Sequence, residues 1–280
     1  MAALAPHTGR ARVIGLTGPP GVGKSTSTGM LVTAYRAQGK RVGVLAVDPS
    51  SPFSGGALLG DRVRMQEHAT DPDVFIRSMA SRGHLGGLSA AAPQGIRVLD
   101  AAGCDVILVE TVGVGQAEVE IASEADSTVV MLAPGMGDGI QAAKAGILEV
   151  ADVFVVNKAD RDGADETARE LRYMLSLGDR NSERWKPPIV KTVASKGQGA
   201  DDVLGALHEH AEWLERTGEL QRRRRARAAD EIEALAVGML RDRMGDLRGG
   251  TTLDRLADKV VAGALDPYAA ADELVAAVAG

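Results

Sequence analysis

The stretch VIGLTGPPGVGKST, residues 13–26, decides the fold. An apolar run rich in β-branched residues leads into a loop of glycines and prolines, and Lys-Ser-Thr then opens a helix-forming segment. A strand, a loop and a helix in that order are the context that the pattern G-x-x-x-x-G-K-[ST] requires. In such a loop Gly18, Pro19, Pro20, Gly21, Val22 and Gly23 carry a backbone that wraps closely around phosphates. Its amides point inward, and the helix N-terminus adds positive potential. Lys24 reaches the β- and γ-phosphates, Ser25 offers a hydroxyl to magnesium, and Thr26 completes the motif. The competing reading, an ordinary glycine-rich turn, leaves the flanking strand and helix unexplained.

Further apolar runs follow: VGVLAV from Val42, VILVE from Val106, STVVMLA from Ser127, DVFVVNK from Asp152 and PIVKTV from Pro188. Helical spacing or composition fills residues 25–38, 139–150, 165–177 and 200–214. Strands alternating with helices imply right-handed crossovers and a mainly parallel sheet. Strands apolar throughout fit a sheet covered on both faces. The expected fold is therefore α/β, a P-loop NTPase with a mainly parallel, helix-covered sheet. Residues 1–12 form an N-terminal tail and residues 13–214 the P-loop domain.

Beyond residue 214 the strand pattern stops, and residues 215–280 read as a helical C-terminal arm. Ile232, Leu235, Ala236, Met239, Leu240 and Met244 share one helical stripe. Gly249-Gly250 break it, and Leu253, Leu256, Val260 and Val261 form a second. Asp266-Pro267 opens a third helix with a cap and a first-turn proline. Together with Leu274 these stripes make an apolar face to bury, and an isologous dimer is the simplest way to bury it.

The sequence VILVETVGVG places a carboxylate, Glu110, where a buried strand ends, with Gly113 three residues on. A polar residue and a glycine often simply end a strand. In a phosphate-loop protein, however, the acid that ends a neighbouring strand sits where the magnesium shell and the attacking water lie. Glu110 suits that place, and Gly113 can donate its amide to the γ-phosphate. Gln116 either orients the attacking water or caps the next helix. Asp48, at the end of VGVLAV, and Asp61, in GGALLGDRVRM, compete for the metal, each with the alternative of being a cap or a solvated loop residue. Magnesium leaves room for one or two carboxylates beyond Ser25.

NKAD ends another strand. The Asp160 carboxylate can accept from guanine N1–H and the exocyclic amine, donors that adenine does not present there. The Lys158 stem can cover the base, and Asn157 completes the motif. In ASKG, Ser195, Lys196 and Gly197 stand where backbone amides can meet the guanine carbonyl. A small-molecule kinase, the competing class, needs an acceptor pocket with an acidic base and commonly reads adenine, against which NKAD argues.

The net charge of −6 argues against nucleic-acid binding, and 45% hydrophobic with 25% charged residues describes an ordinary globular chain. One cysteine, Cys104, excludes an internal disulfide, the N-terminus lacks the apolar centre of a secretory signal, and no apolar run approaches membrane-spanning length. A cytoplasmic protein with no membrane association is expected. Arg222–Arg225 are offset by Asp230, Glu231 and Glu233 and read as a solvated helix face. Arg82 and His84 carry no firm role.

In order, GPPGVGKST, VLAVDPSS, GGALLGDRVRM, RGHLGGL, VETVGVGQAE and NKAD resemble the MeaB/ArgK/MMAA GTPases. These are chaperones of adenosylcobalamin-dependent methylmalonyl-CoA mutase, in the P-loop class that includes nitrogenase-type and signal-recognition GTPases. The likeness covers nearly the whole chain. It implies GTP and GDP as ligands, with Mg2+ surrounded by Ser25, Asp48, Asp61 and Glu110. It implies catalytic parts for Lys24, Glu110 and Gln116, and a switch at Asp138, Gln141 and Lys144 that reports nucleotide state to the mutase. The C-terminal helices resemble the family's dimerisation arm. The expected activity is GTP hydrolysis to GDP and phosphate, slow without the partner, gating the loading or protection of the mutase cofactor. A metal-insertion GTPase serving another metalloenzyme is the alternative within the same class.

Overall fold

Seven parallel strands form one sheet in the order β3-β2-β4-β1-β5-β6-β7. They are β1 Arg12–Thr17, β2 Val42–Pro49, β3 Val74–Ser81, β4 Val106–Thr111, β5 Ser127–Leu132, β6 Val153–Val156 and β7 Ile189–Lys191. The structure is a computed structural model and describes residues 2–49, 66–68, 70–81, 92–111, 123–135, 147–177, 184–244 and 251–279. The helices of the sheet region are α1 Lys24–Ala37, α2 Ala92–Ala101, α3 Ile147–Val150, α4 Ala164–Ser176 and α5 Ala200–Thr217. The expected helices at 25–38, 165–177 and 200–214 appear as α1, α4 and α5. Of the one expected at 139–150, only α3 falls within the described residues.

Among the described strands and α-helices of the sheet region, β3 and α2 were not expected from sequence. β3 is an edge strand paired with β2, and Arg77 and Ser78 break the continuous apolar run that marks the inner strands. α2 carries Gly95, a residue that argues against a helix by propensity, while Pro93 falls in the first turn, where proline is tolerated. It forms because Ile96 and Leu99 bury against the sheet beside Leu45, Ile107 and Val109.

Alternation along the strands builds two cores from one sheet. Ile14 and Leu16 of β1, Leu108 of β4, Val129 and Met131 of β5 and Val155 of β6 face α1 and α5, where they meet Leu31, Val32, Leu204 and Leu207. Val13, Ile107 and Val109 turn to the other side, against α2. Val130, Leu132, Phe154 and Val156 do the same against Ala168 and Leu171 of α4. β4 is buried at all of its residues. Parity then places its last acid: Glu110 follows Val106 and Leu108 onto the α1 face, in register with Leu16.

At the opposite, amino-terminal ends of the strands, just before β6, lies a buried ionic cluster. The Asp152 side chain is 6% exposed and accepts from Thr128 N at 2.8 Å and from Arg223 Nη1 and Nη2, both at 2.9 Å. His210 Nε2 stands 3.2 Å from the same carboxylate, and its Nδ1 is 2.8 Å from Ser127 Oγ. Trp185 and Trp213 pack around the His210 ring, and Trp185 Nε1 donates to Asp152 O at 2.7 Å. Burial alone raises the Asp152 pKa. The bonds and charges of His210 and Arg223 outweigh it and hold the carboxyl below its ordinary value.

The chain divides into two units, Met1–Arg223 and Arg224–Gly280. The long helix α6, Glu219–Met244, continues into the second unit, which also holds α7, Thr251–Val261, and α8, Pro267–Ala279. Asp266 caps α8, its Oδ1 accepting from Tyr268 N and Ala269 N, with Pro267 in the first turn. Part of the apolar face expected to be left over is buried within the fold: Leu256 is 2% exposed, and Leu253, Val260 and Leu274 are half-buried. The α6 stripe stays outside, with Ile232, Leu235, Met239 and Leu240 between 52% and 68% exposed.

Candidate functional site

The loop between β1 and α1 is shaped by what lies behind it. Gly18 has φ +139°, and a Cβ there would fall 2.3 Å from the backbone oxygen of Met131 in β5. Gly23 caps α1 in the left-handed region, φ +96°, and its Cβ would fall 2.5 Å from Asn157 Nδ2. Neither position admits a side chain without moving a neighbouring element. Lys24 opens α1, is buried, and donates from Nζ to Gly18 O at 2.7 Å and Pro19 O at 3.1 Å. The cation therefore sits inside the loop from which it starts. Thr26 is exposed on the first turn of α1.

Glu110 meets α1 where parity sends it. It is 5% exposed, and Ser25 Oγ donates to its Oε1 at 2.5 Å. Thr28, fully buried, donates to Oε2 at 2.9 Å and stands 3.1 Å from Lys24 O. Beside them Thr111 Oγ1 donates to Thr17 Oγ1 at 3.3 Å, where β4 and β1 end together. A hydroxyl and a carboxylate, both oxygen donors next to a phosphate loop, fit a hard cation such as magnesium, which takes one or two carboxylates and completes its shell with phosphate and water. Among the described residues no three His, Cys, Asp or Glu side chains cluster.

The residues of NKAD dock onto the same loop. Asn157, 3% exposed, donates from Nδ2 to Val22 O at 2.8 Å. Its Oδ1 accepts from Thr192 Oγ1 at 3.1 Å and from Ala194 N at 3.0 Å. Lys158 takes φ +57°, the one described non-glycine residue with positive φ, and donates from Nζ to Gly21 O at 2.6 Å. Ser195 and Lys196 lie in the short 3-10 turn Ala194–Lys196, which Gly197 closes in the left-handed region. Lys196 Nζ pairs with Asp160 Oδ2 at 3.0 Å. That hydrogen bond, with the lysine's charge, lowers the Asp160 pKa.

The structure thus brings together Gly18 to Ser25, Glu110, Asn157, Lys158, Asp160 and Ser195 to Gly197. Asp48 lies within β2, its backbone in register with Ala80, and its side chain is outside the described set. Asp61, Arg82, His84, Gly113, Gln116, Asp138, Gln141 and Lys144 also lie outside the described residues. One contributor escaped the sequence reading, Thr28. Its signal was available: three residues beyond Ser25 it occupies the same face of α1.

A glycine-rich loop after the central strand of a parallel sheet, with a lysine inside it, defines the P-loop NTPase class. Residues 1–247 match the family described as Methylmalonyl Co-A mutase-associated GTPase MeaB, and the chain belongs to that family. A putative GTPase of Pyrococcus horikoshii is 50% identical over 277 residues, spanning 98% of this chain and 87% of the relative. The mouse mitochondrial methylmalonic aciduria type A homolog is 37% identical over 268 residues, 94% of this chain and 65% of that protein. Among solved structures, one titled LAO/AO transport system kinase superposes with a TM-score of 0.72 at 26% identity, covering 100% of this chain and 85% of the other.

Proposed function

We propose that the protein is a GTP-hydrolysing switch that attends an adenosylcobalamin-dependent acyl-CoA mutase, methylmalonyl-CoA mutase in the first instance, and gates the loading or protection of its cofactor. The observation that carries the nucleotide half is the mooring of NKAD to the phosphate loop, through Asn157 to Val22 O and Lys158 to Gly21 O. In this reading the mooring holds the Asp160 carboxylate, as the base reader, at a fixed distance from the phosphate loop. Asp160, kept ionised, is an acceptor for the two guanine donors, and adenine would leave it unmatched. Family membership supports the partner half, as does the relative named for methylmalonic aciduria. Both favour this reading over a small-molecule kinase or a GTPase that inserts metal into another enzyme.

In this reading Lys24 leaves its loop carbonyls for the β- and γ-phosphates, and the loop amides receive the phosphate oxygens. Ser25 and Glu110 hold magnesium, joined by Asp48 or Asp61, and the ion neutralises charge on the β- and γ-phosphates when bound. Gly113 and Gln116 attend the γ-phosphate and the attacking water. Asp138, Gln141 and Lys144 report nucleotide state to the mutase. Unassisted turnover is slow, on the order of 10⁻⁴ to 10⁻² per second, as for switch GTPases lacking a partner. The exposed stripe of α6 pairs two copies as a homodimer. No helix among the described residues is long and apolar enough to cross a membrane, and a cytoplasmic site of action is proposed.

Calorimetry tests the base: GDP should bind far more tightly than ADP, and Asp160→Asn should shift preference to xanthosine diphosphate, because the amide supplies a donor. Equal affinity of the native protein for GDP and ADP removes the reading. Titration with methylmalonyl-CoA mutase in GDP and in a non-hydrolysable GTP analogue tests the switch. Coupling of binding energies is reciprocal, so identical mutase affinity in both states removes it.

A further inference from the structure

The sheet hands Glu110 to α1, and α1 receives both of its carboxylate oxygens: Oε1 from Ser25 and Oε2 from Thr28. The two hydroxyls are three residues apart, one turn of helix, so a single face presents both. A buried threonine in a helix has a routine alternative, donation to the carbonyl four residues back, and Lys24 O lies 3.1 Å from Thr28 Oγ1. But a hydroxyl has one proton. The carboxyl oxygen is the nearer, at 2.9 Å, and takes the larger share.

We propose that Thr28 is a positioning residue of the magnesium centre, acting through Glu110. It rests on the reading of Ser25 and Glu110 as the residues that hold the ion. The Ser25 hydroxyl directs its proton at Glu110 Oε1, which leaves lone pairs as what it offers a cation. That orientation lasts only while Oε1 keeps its place. Glutamate has one more rotor than the aspartate usual at such a position, and a bond at one oxygen does not by itself set the plane of the carboxylate. The bond from Thr28 to the other oxygen helps to fix that plane. Thr28 therefore sets the direction of Ser25 without touching the ion or the nucleotide.

The variants are Thr28→Val, which keeps shape and burial but deletes the hydroxyl, and Thr28→Ser, which restores it. The first readout is binding: GDP affinity by calorimetry across a magnesium titration, with EDTA as the zero point. In Thr28→Val the magnesium needed for half-maximal tightening of GDP should rise about three- to tenfold, while GDP affinity in EDTA stays native. Single-turnover GTP hydrolysis should fall about tenfold, the scale of one charge-assisted hydrogen bond. Thr28→Ser should stay within about twofold of native in both. If Thr28→Val folds poorly, Thr28→Ala gives the same comparison without the extra methyl group in a closed site.

Glu110→Ala separates the layers. If it disturbs the magnesium titration and Thr28→Val does not, the positioning role is overturned and the metal reading stands. If Glu110→Ala also leaves the titration native, the metal reading fails and the role of Thr28 falls with it. If Thr28→Ser is as impaired as Thr28→Val, the defect is one of packing and the proposal is wrong.

Discussion

Replacing Arg223 by methionine tests whether the ionic cluster at the amino-terminal ends of β5 and β6 holds the first unit together. The guanidinium gives Asp152 two of its hydrogen bonds, both at 2.9 Å, while the Asp152 side chain is only 6% exposed. Breaking a buried pair from one side costs about 3–5 kcal/mol, chiefly because the remaining charge is left without its partner. Here the Arg223 side chain is 30% exposed, so water can replace part of what is lost, and Thr128 N still donates at 2.8 Å. The expected loss is therefore near the low end, about 3 kcal/mol, or roughly 6–12 °C in Tm for a unit of this size.

The effect carries a pH signature. A carboxyl whose folded pKa is depressed adds stability that is fully present above its unfolded pKa, about 4, and is lost as pH falls through the folded value. The difference between native and Arg223→Met protein should thus be widest at neutral pH and shrink below about pH 4. Thermal scans from pH 7 to pH 3 measure it. A double variant with Asp152→Asn should lose less than the sum of the single losses. A Tm change under about 2 °C at pH 7, or a difference that does not vary with pH, would refute the reasoning.

Two further outcomes are expected. Asn157→Ala strips partners from Val22 O, Thr192 Oγ1 and Ala194 N at once. At about 1–3 kcal/mol per orphaned buried group, less what rotation and water recover, it should cost roughly 3–4 kcal/mol of stability, read by denaturant titration, and weaken GDP binding as well. The double variant Leu235→Glu, Met239→Glu on the exposed α6 stripe should turn a dimer into a monomer by light scattering; a native protein that is already monomeric would remove the dimer proposal.

The sequence disclosed the fold wherever strands are covered on both faces. VILVE and STVVML are apolar at nearly every position because both sides of the sheet are packed. β3 escaped because its run is interrupted by the polar residues Arg77 and Ser78, and its pairing with β2 is invisible in the local pattern. α2 escaped because its propensity is poor and only its packing on Leu45 and Ile107 makes it a helix. In the site, the residues of GPPGVGKST and NKAD were legible because each motif has fixed spacing. For Thr28 only the shared helix face with Ser25 could be read, since its bond to Glu110 depends on a strand more than eighty residues away. The Lys158 bond to Gly21 O was hidden for the same reason, a partner 137 positions distant.

The parity of β4 makes the site sensitive to reading frame along a strand. Glu110 faces α1 only because it stands an even number of residues from Val106 and Leu108. Insert or delete one residue within Val106–Val109 while the strand keeps its pairing at its start, and the acid swings to the α2 side, away from the Ser25 and Thr28 hydroxyls that receive it. Add or remove two, and the side is kept while the acid moves along the strand by about 7 Å, the span of one full pleat. Drift in chain length is thus filtered here by oddness before it is filtered by distance, and functional variants of this strand should differ by substitution rather than by length.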